Sequence, residues 1–153
     1  MTNKTKPIPD GYHSLTPYLV AVNAASAIEF YKKAFGATER MRLAGPDGKI
    51  MHAELEIGDS VIMLGGESAG GSGPASTGGA LVSMYFYTED VDAVFSRAIA
   101  LGATVKKPVE DQFYGDRSGI LTDPFGHVWS VATHVEDVSP EEIKKRTAAL
   151  FGG

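Results

Sequence analysis

The chain has 153 residues, a formal charge of -5 at pH 7, 43% hydrophobic residues and no cysteine. That length suits one domain with a real core, and the absence of cysteine excludes thiol nucleophiles, disulfides, Fe–S clusters and cysteine zinc sites. An acidic chain without a basic block is a poor fit to nucleic acid, and no apolar run approaches the roughly 18–20 residues that span a bilayer.

The first segment, residues 1–11, carries Lys4, Lys6, Pro7, Pro9 and Gly11 with no apolar stretch behind it. It reads as an irregular arm without a targeting signal, and the expected location is cytoplasmic. Leu15–Val22 is short, apolar and partly β-branched, which predicts a strand. Asn23 is placed to cap a helix over Asn23–Phe35, in which Ile28, Tyr31 and Phe35 recur at helical spacing before Gly36 stops it. Pro46-Asp47-Gly48 marks a turn. Lys49–Ile57 and Ser60–Leu64 then read as two strands around Gly58-Asp59.

Gly65–Ala80 holds seven glycines and no aliphatic residue larger than alanine, so it reads as a flexible linker. Beyond it the order repeats: a strand at Val82–Tyr87, a helix capped by Asp90 and ended by Gly102, and a hairpin of Arg117–Thr122 and Val128–Thr133. Phe35-Gly36-Ala37-Thr38 recurs as Leu101-Gly102-Ala103-Thr104. The fold expected is α+β, two tandem βαβββ modules at 12–64 and 81–135. Ser139-Pro140-Glu141-Glu142 then opens a charged C-terminal helix over 139–151.

Ala27-Ile28-Glu29-Phe30-Tyr31-Lys32-Lys33-Ala34-Phe35-Gly36-Ala37 and the hairpin Leu121-Thr122-Asp123-Pro124-Phe125-Gly126-His127-Val128-Trp129 resemble the vicinal oxygen chelate superfamily. That superfamily includes glyoxalase I, the bleomycin- and fosfomycin-resistance proteins and the extradiol dioxygenases. His52-Ala53-Glu54-Leu55, Gly58-Asp59-Ser60 and Tyr114-Gly115-Asp116-Arg117 are similar to its PhnB-like, glyoxalase-like branch. The resemblance implies curved half-sheets around a cup, a small-molecule ligand and a homodimer.

In metal-using members, His, Glu or Gln from the first and last strand of each module bind a divalent ion. Carried across, those positions fall on Thr16 and Met63, and on Ser83 and Ser130, with the same spacing between the members of each module. Hydroxyls and a thioether are weak ligands for such ions, so no cofactor is expected at the usual site. A divalent metal at a displaced site stays open.

Strand alternation puts His52, Glu54 and Glu56 on the face of Met63. His52 and Glu54 can share a proton, bind an amine, ligate a displaced metal, or simply form the polar side of a half-buried strand. Arg117, oriented by Asp116, can bind a carboxylate or phosphonate, or only clamp its own loop. Catalytic roles are expected at His52, Glu54 and Arg117. Substrate contacts are expected from Tyr85, Tyr87, Tyr114, Asp116, Met63 and Ser130. His127 and His134 read as structural and exposed, respectively. Three functions remain: a lyase-like enzyme working without the usual metal or with a displaced one; a bleomycin-resistance-like protein that sequesters a drug; and a cup filled by its own side chains.

Overall fold

Both helices of the repeat begin where the sequence supplies a side-chain cap. Asn23 accepts from Ser26 N and starts α1 (Ala24–Phe35), and Asp90 accepts from Ala93 N and starts α3 (Val91–Ala100). Gly36, at φ 70°, ends α1 in the left-handed region that favours glycine. The computed structural model describes residues 5–67 and 72–152; residues 1–4 of the expected arm and 68–71 of the expected linker lie outside them.

The chain divides into two units, residues 1–79 and 80–153. The first contains β1 (Tyr18–Ala21), α1, β2 (Thr38–Ala44), β3 (Ile50–Ile57), β4 (Ser60–Gly66) and the short α2 (Pro74–Thr77). Its four strands form one sheet in the order β1-β4-β3-β2. β1 runs parallel to β4, and the other pairs are antiparallel. The second unit contains β5 (Ser83–Tyr87), α3, β6 (Thr104–Asp111), β7 (Asp116–Thr122), β8 (Val128–His134) and α4 (Pro140–Leu150). Its sheet repeats that arrangement as β5-β8-β7-β6. Each unit is thus a βαβββ module, and the α+β class read from the sequence holds.

Each sheet buries one face under its helix. Ile28, Tyr31 and Phe35 of α1 are buried with Leu19, Leu55 and Leu64 of the first sheet. In the second unit, Val91, Val94, Phe95 and Ala98 are buried with Leu121, Trp129 and Val131. Gly119 lets β7 approach α3: a Cβ there would lie 2.8 Å from Phe95 Cε2.

Several bounds differ from the sequence reading. β1 starts at Tyr18 because Pro17 has no N–H to give the ladder; its carbonyl accepts from Met63 N instead. β4 continues through Gly65 and Gly66, and α2 forms within the glycine-rich stretch read as linker. The second strand of each module, β2 and β6, is not marked in the sequence. Both are largely exposed and lack the alternating apolar pattern that marks a strand.

The last hairpin is organised by Asp123, which is buried. Its Oδ1 accepts from Phe125 N at 2.9 Å and His127 N at 3.0 Å, and its Oδ2 accepts from Trp129 Nε1 at 2.9 Å. Asp123→Ala strips the shared acceptor from a buried indole and two turn amides. It is expected to cost about 2–3 kcal/mol, read as a lower midpoint in urea unfolding followed by circular dichroism.

Candidate functional site

In β3 the side chains of Ala53, Leu55 and Ile57 are buried, which leaves His52, Glu54 and Glu56 on the opposite face. Glu54 pairs with Met63 across the β3–β4 ladder. His52 Nε2 lies 3.0 Å from Glu54 Oε2, and His52 Nδ1 lies 3.4 Å from the Tyr18 hydroxyl. The arm that precedes β1 lays Tyr12 against this face, and the Tyr12 hydroxyl donates to Glu54 Oε1. Arg40 stands over the Tyr12 ring, its Cζ 5.1 Å from the centroid. Arg40 reaches there because the β2–β3 register shifts between Glu39 and Met41, leaving Arg40 as the extra residue of a bulge.

Tyr12, Glu54 and Met63 border a cavity of about 460 Å³, whose arm side also includes Pro7, Ile8 and Thr16. The Tyr12 hydroxyl and then His52 hold the Glu54 carboxyl below its ordinary range, against the opposing effect of burial. The Tyr12 phenol is pushed up to about 12, first by burial and then by its bond to Glu54. At neutral pH the group is therefore an ionised carboxylate fed by a neutral phenol. With Glu54 ionised, His52 Nε2 is the donor of that pair, and Nδ1 is the acceptor turned toward Tyr18.

The second unit carries its own network. Asp116 is buried and accepts from Tyr85 at 2.6 Å, Tyr87 at 2.9 Å and His134 Nδ1 at 2.8 Å. The other ring nitrogen of His134 lies 2.8 Å from Asp137 Oδ1. Burial pushes the Asp116 carboxyl up, but the donors Tyr85, His134 and Tyr87 outweigh it and the net shift is downward. Burial and then Asp116 raise the Tyr85 phenol, and Tyr114 adds to the rise. The rings of Tyr85 and Tyr87 stand 5.1 Å apart and remain largely exposed. Ser130 is half-buried and pairs with Tyr85 in the ladder.

Arg117 does not join that network. Neighbouring residues of a strand face opposite sides, so Asp116 turns to the tyrosines while Arg117 turns to α3. There Arg117 Nε and Asp92 Oδ2 are 2.8 Å apart, and Arg117 Nη1 and Asp111 Oδ1 are 3.2 Å apart. The expectation that Asp116 orients Arg117 is corrected by this geometry.

Tyr12, Tyr18, Arg40 and Asp137 were missed by the sequence reading, and His134 was read as merely exposed. Arm residues carry no periodicity, and a bulge has no local signature in β2. The conjunction Glu39-Arg40-Met41-Arg42, with two cations beside an acid, was the available signal for Arg40.

Of the four positions carried across for a metal, Thr16 and Met63 line the first unit's cavity, Ser83 is exposed, and Ser130 is half-buried. Their hydroxyls and thioether do not fit a divalent ion. Among the described residues, no group of three or more His, Asp or Glu is placed to hold a metal ion. Among the same residues, no helix is long and apolar enough to cross a membrane.

The sequence model of the Glyoxalase/Bleomycin resistance protein/Dioxygenase superfamily matches residues 13–131. An uncharacterised Mycobacterium bovis protein, Mb0911c, is 47% identical over 145 residues, which cover 92% of this chain and 95% of that one. The Arabidopsis thaliana protein At5g48480 is 30% identical over 120 residues, covering 73% of this chain and 72% of that one. Its crystal structure superposes with a TM-score of 0.65 at 27% identity, over 79% of this chain and 98% of that one. The PhnB protein from Bacillus cereus shares the fold, with a TM-score of 0.65 at 20% identity over 79% of this chain and 99% of that one.

His134 and Glu54 link stability to pH with opposite signs. The His134 imidazole is raised above its ordinary value by Asp116 and then Asp137. Its contribution to stability is thus complete below about pH 6.5 and is lost as pH rises through the raised value. Glu54 is lowered, so its contribution holds above the usual carboxylate range and is lost as pH falls through the lowered value. Urea midpoints measured across pH should show a decline on the alkaline side of about pH 6.5 that His134→Gln removes. An unchanged decline in that variant would assign it to another group.

Proposed function

We propose that this chain, which belongs to the Glyoxalase/Bleomycin resistance protein/Dioxygenase superfamily, binds a small organic molecule on the Glu54 face of its first sheet without a divalent ion at the usual positions. The observation that carries this is the cavity of about 460 Å³ with an ionised carboxylate in its wall. The volume suits a small ligand. Its arm side is mainly apolar, and Glu54 offers a charged acceptor. A ligand with an apolar body and a hydrogen-bond donor or cationic group complements both.

Glu54 is an anchor in this reading, because a carboxylate held below its ordinary range is a poor proton acceptor at neutral pH. The base is His52. Its Nε2–H is held by Glu54, which fixes the tautomer and leaves Nδ1, beside the Tyr18 hydroxyl, as the proton acceptor. Arg117 has no part in this reading, since Asp92 and Asp111 occupy its guanidinium. Tyr85 and Tyr87, locked to Asp116 with exposed rings, offer the second unit a stacking surface for a planar ligand. The superfamily's usual assembly and the cysteine-free composition support a cytoplasmic homodimer, which light scattering on the purified chain measures.

A second reading, sequestration of a drug without chemistry, is favoured by the same lowering of Glu54, which suits binding better than proton transfer. One pair of variants separates the two. A calorimetric screen of small amines, phenols and antibiotics should yield a ligand that Glu54→Ala binds at least tenfold more weakly. With that ligand, His52→Ala should preserve binding. If product forms with the native chain and not with His52→Ala, the protein is an enzyme with His52 as base. Binding without product in the native chain selects sequestration. A ligand indifferent to Glu54→Ala would reject the site.

A further inference from the structure

The largest side chain in the wall of the Glu54 cavity belongs to the arm. Tyr12 reaches Glu54 from Gly11-Tyr12-His13, a segment without regular secondary structure. Much of what holds the arm near Tyr12 is internal to it. Tyr12 N donates to Pro9 O at 3.1 Å, and Lys6 Nζ donates to Asp10 Oδ1 at 2.8 Å across two exposed side chains. The contact with the sheet's charged groups is made by the Tyr12 side chain, through Glu54 below its hydroxyl and Arg40 above its ring.

A tyrosine side chain is a para-substituted phenol. Every feature that receives it here can receive a free one. Glu54 accepts a hydroxyl, Arg40 faces the π-cloud, and Met63 supplies apolar wall from the sheet. We infer that the Tyr12 position is a subsite for a hydroxyaryl ring, and that residues 5–16 form a strap displaced by a ligand that carries one. This rests on Glu54 as the ligand anchor and adds the chemical class of the ligand.

The displacement is selective for a physical reason. Removing Tyr12 takes a donor from a partly buried carboxylate, and the loss is recovered only by a group that donates in its place. An aromatic ring without a hydroxyl fills the space but leaves Glu54 short of a partner. The ring also has to fit beneath Arg40, which favours a flat ligand over an aliphatic alcohol. Tyr12 therefore acts as an internal competitor: it weakens every ligand by the free energy of seating the strap, and it weakens ligands without a donor most.

The test uses p-cresol, the free equivalent of the tyrosine side chain, and calorimetry on the full chain. Tyr12→Ala is expected to bind p-cresol at least tenfold more tightly than the native chain. Adding Glu54→Ala should abolish that gain, and toluene should bind Tyr12→Ala at least tenfold more weakly than p-cresol does. Tyr12→Phe keeps the ring and should give an intermediate affinity, which preserves the test if the alanine variant fails to fold. In the native chain, saturating p-cresol should speed chymotryptic cleavage after Tyr12.

Equal p-cresol affinity in native and Tyr12→Ala chains, binding insensitive to Glu54→Ala, or unchanged cleavage would each overturn the inference. If a screened ligand still depends on Glu54 while p-cresol ignores Tyr12→Ala, the strap fails and the anchor stands. If nothing depends on Glu54, both fail.

Discussion

A carboxylate on the open face of a β-sheet stays charged and fixed when donors converge on it. Each unit of this protein is arranged around one such group. Glu54 receives Tyr12 and His52, while Asp116 receives Tyr85, Tyr87 and His134. The helices settle which face of each sheet is dry, and the carboxylates then settle what the other face can bind. The two solutions differ in how far the chain must reach. Asp116 draws its donors from its own sheet, whereas Glu54 takes one from an arm 42 positions earlier.

The ladder registers make the internal repeat chemically specific. Tyr18 pairs with Met63 in β1 and β4, and Tyr85 pairs with Ser130 in β5 and β8. The two tyrosines occupy the same slot of their modules. Tyr18 meets an imidazole, with ring centroids 5.7 Å apart, and Tyr85 meets a buried carboxylate. One scaffold position thus serves an imidazole in one unit and a carboxylate in the other. Shared fold and divergent chemistry are the general pattern for grafted sites.

Much of the architecture was legible in the residues. The caps at Asn23 and Asp90, the stop at Gly36 and the turn at Gly58-Asp59 fixed helix and hairpin positions, because each is a local requirement. The two-residue turn also fixed the pairing of Glu54 with Met63 before any coordinates. The second strands were not legible: they are held by ladder pairing rather than by side chains facing a core. For the candidate site, alternation placed His52 beside Glu54 and joined Tyr85 to Tyr87. It also ruled, unnoticed, against a shared face for Asp116 and Arg117. Tyr12 and Arg40 lay beyond reach because one comes from a segment with no period and the other from a register shift.

That shift has a consequence for how the fold can vary. Glu39 stands opposite Leu55 and Arg42 opposite Ala53, so both face the helix, where Arg42 and Lys32 bind Glu39. Met41 and Leu43 stand opposite Glu54 and His52. The single extra residue between them is what lets one short strand send a guanidinium to each side. Removing Arg40 would leave Met41 and Arg42 on their present partners, Glu54 and Ala53, and take away only the guanidinium over Tyr12. Strand length is thus a heritable variable here: the loss of one codon removes a positive charge from one side of the sheet while every later residue of the strand keeps its side.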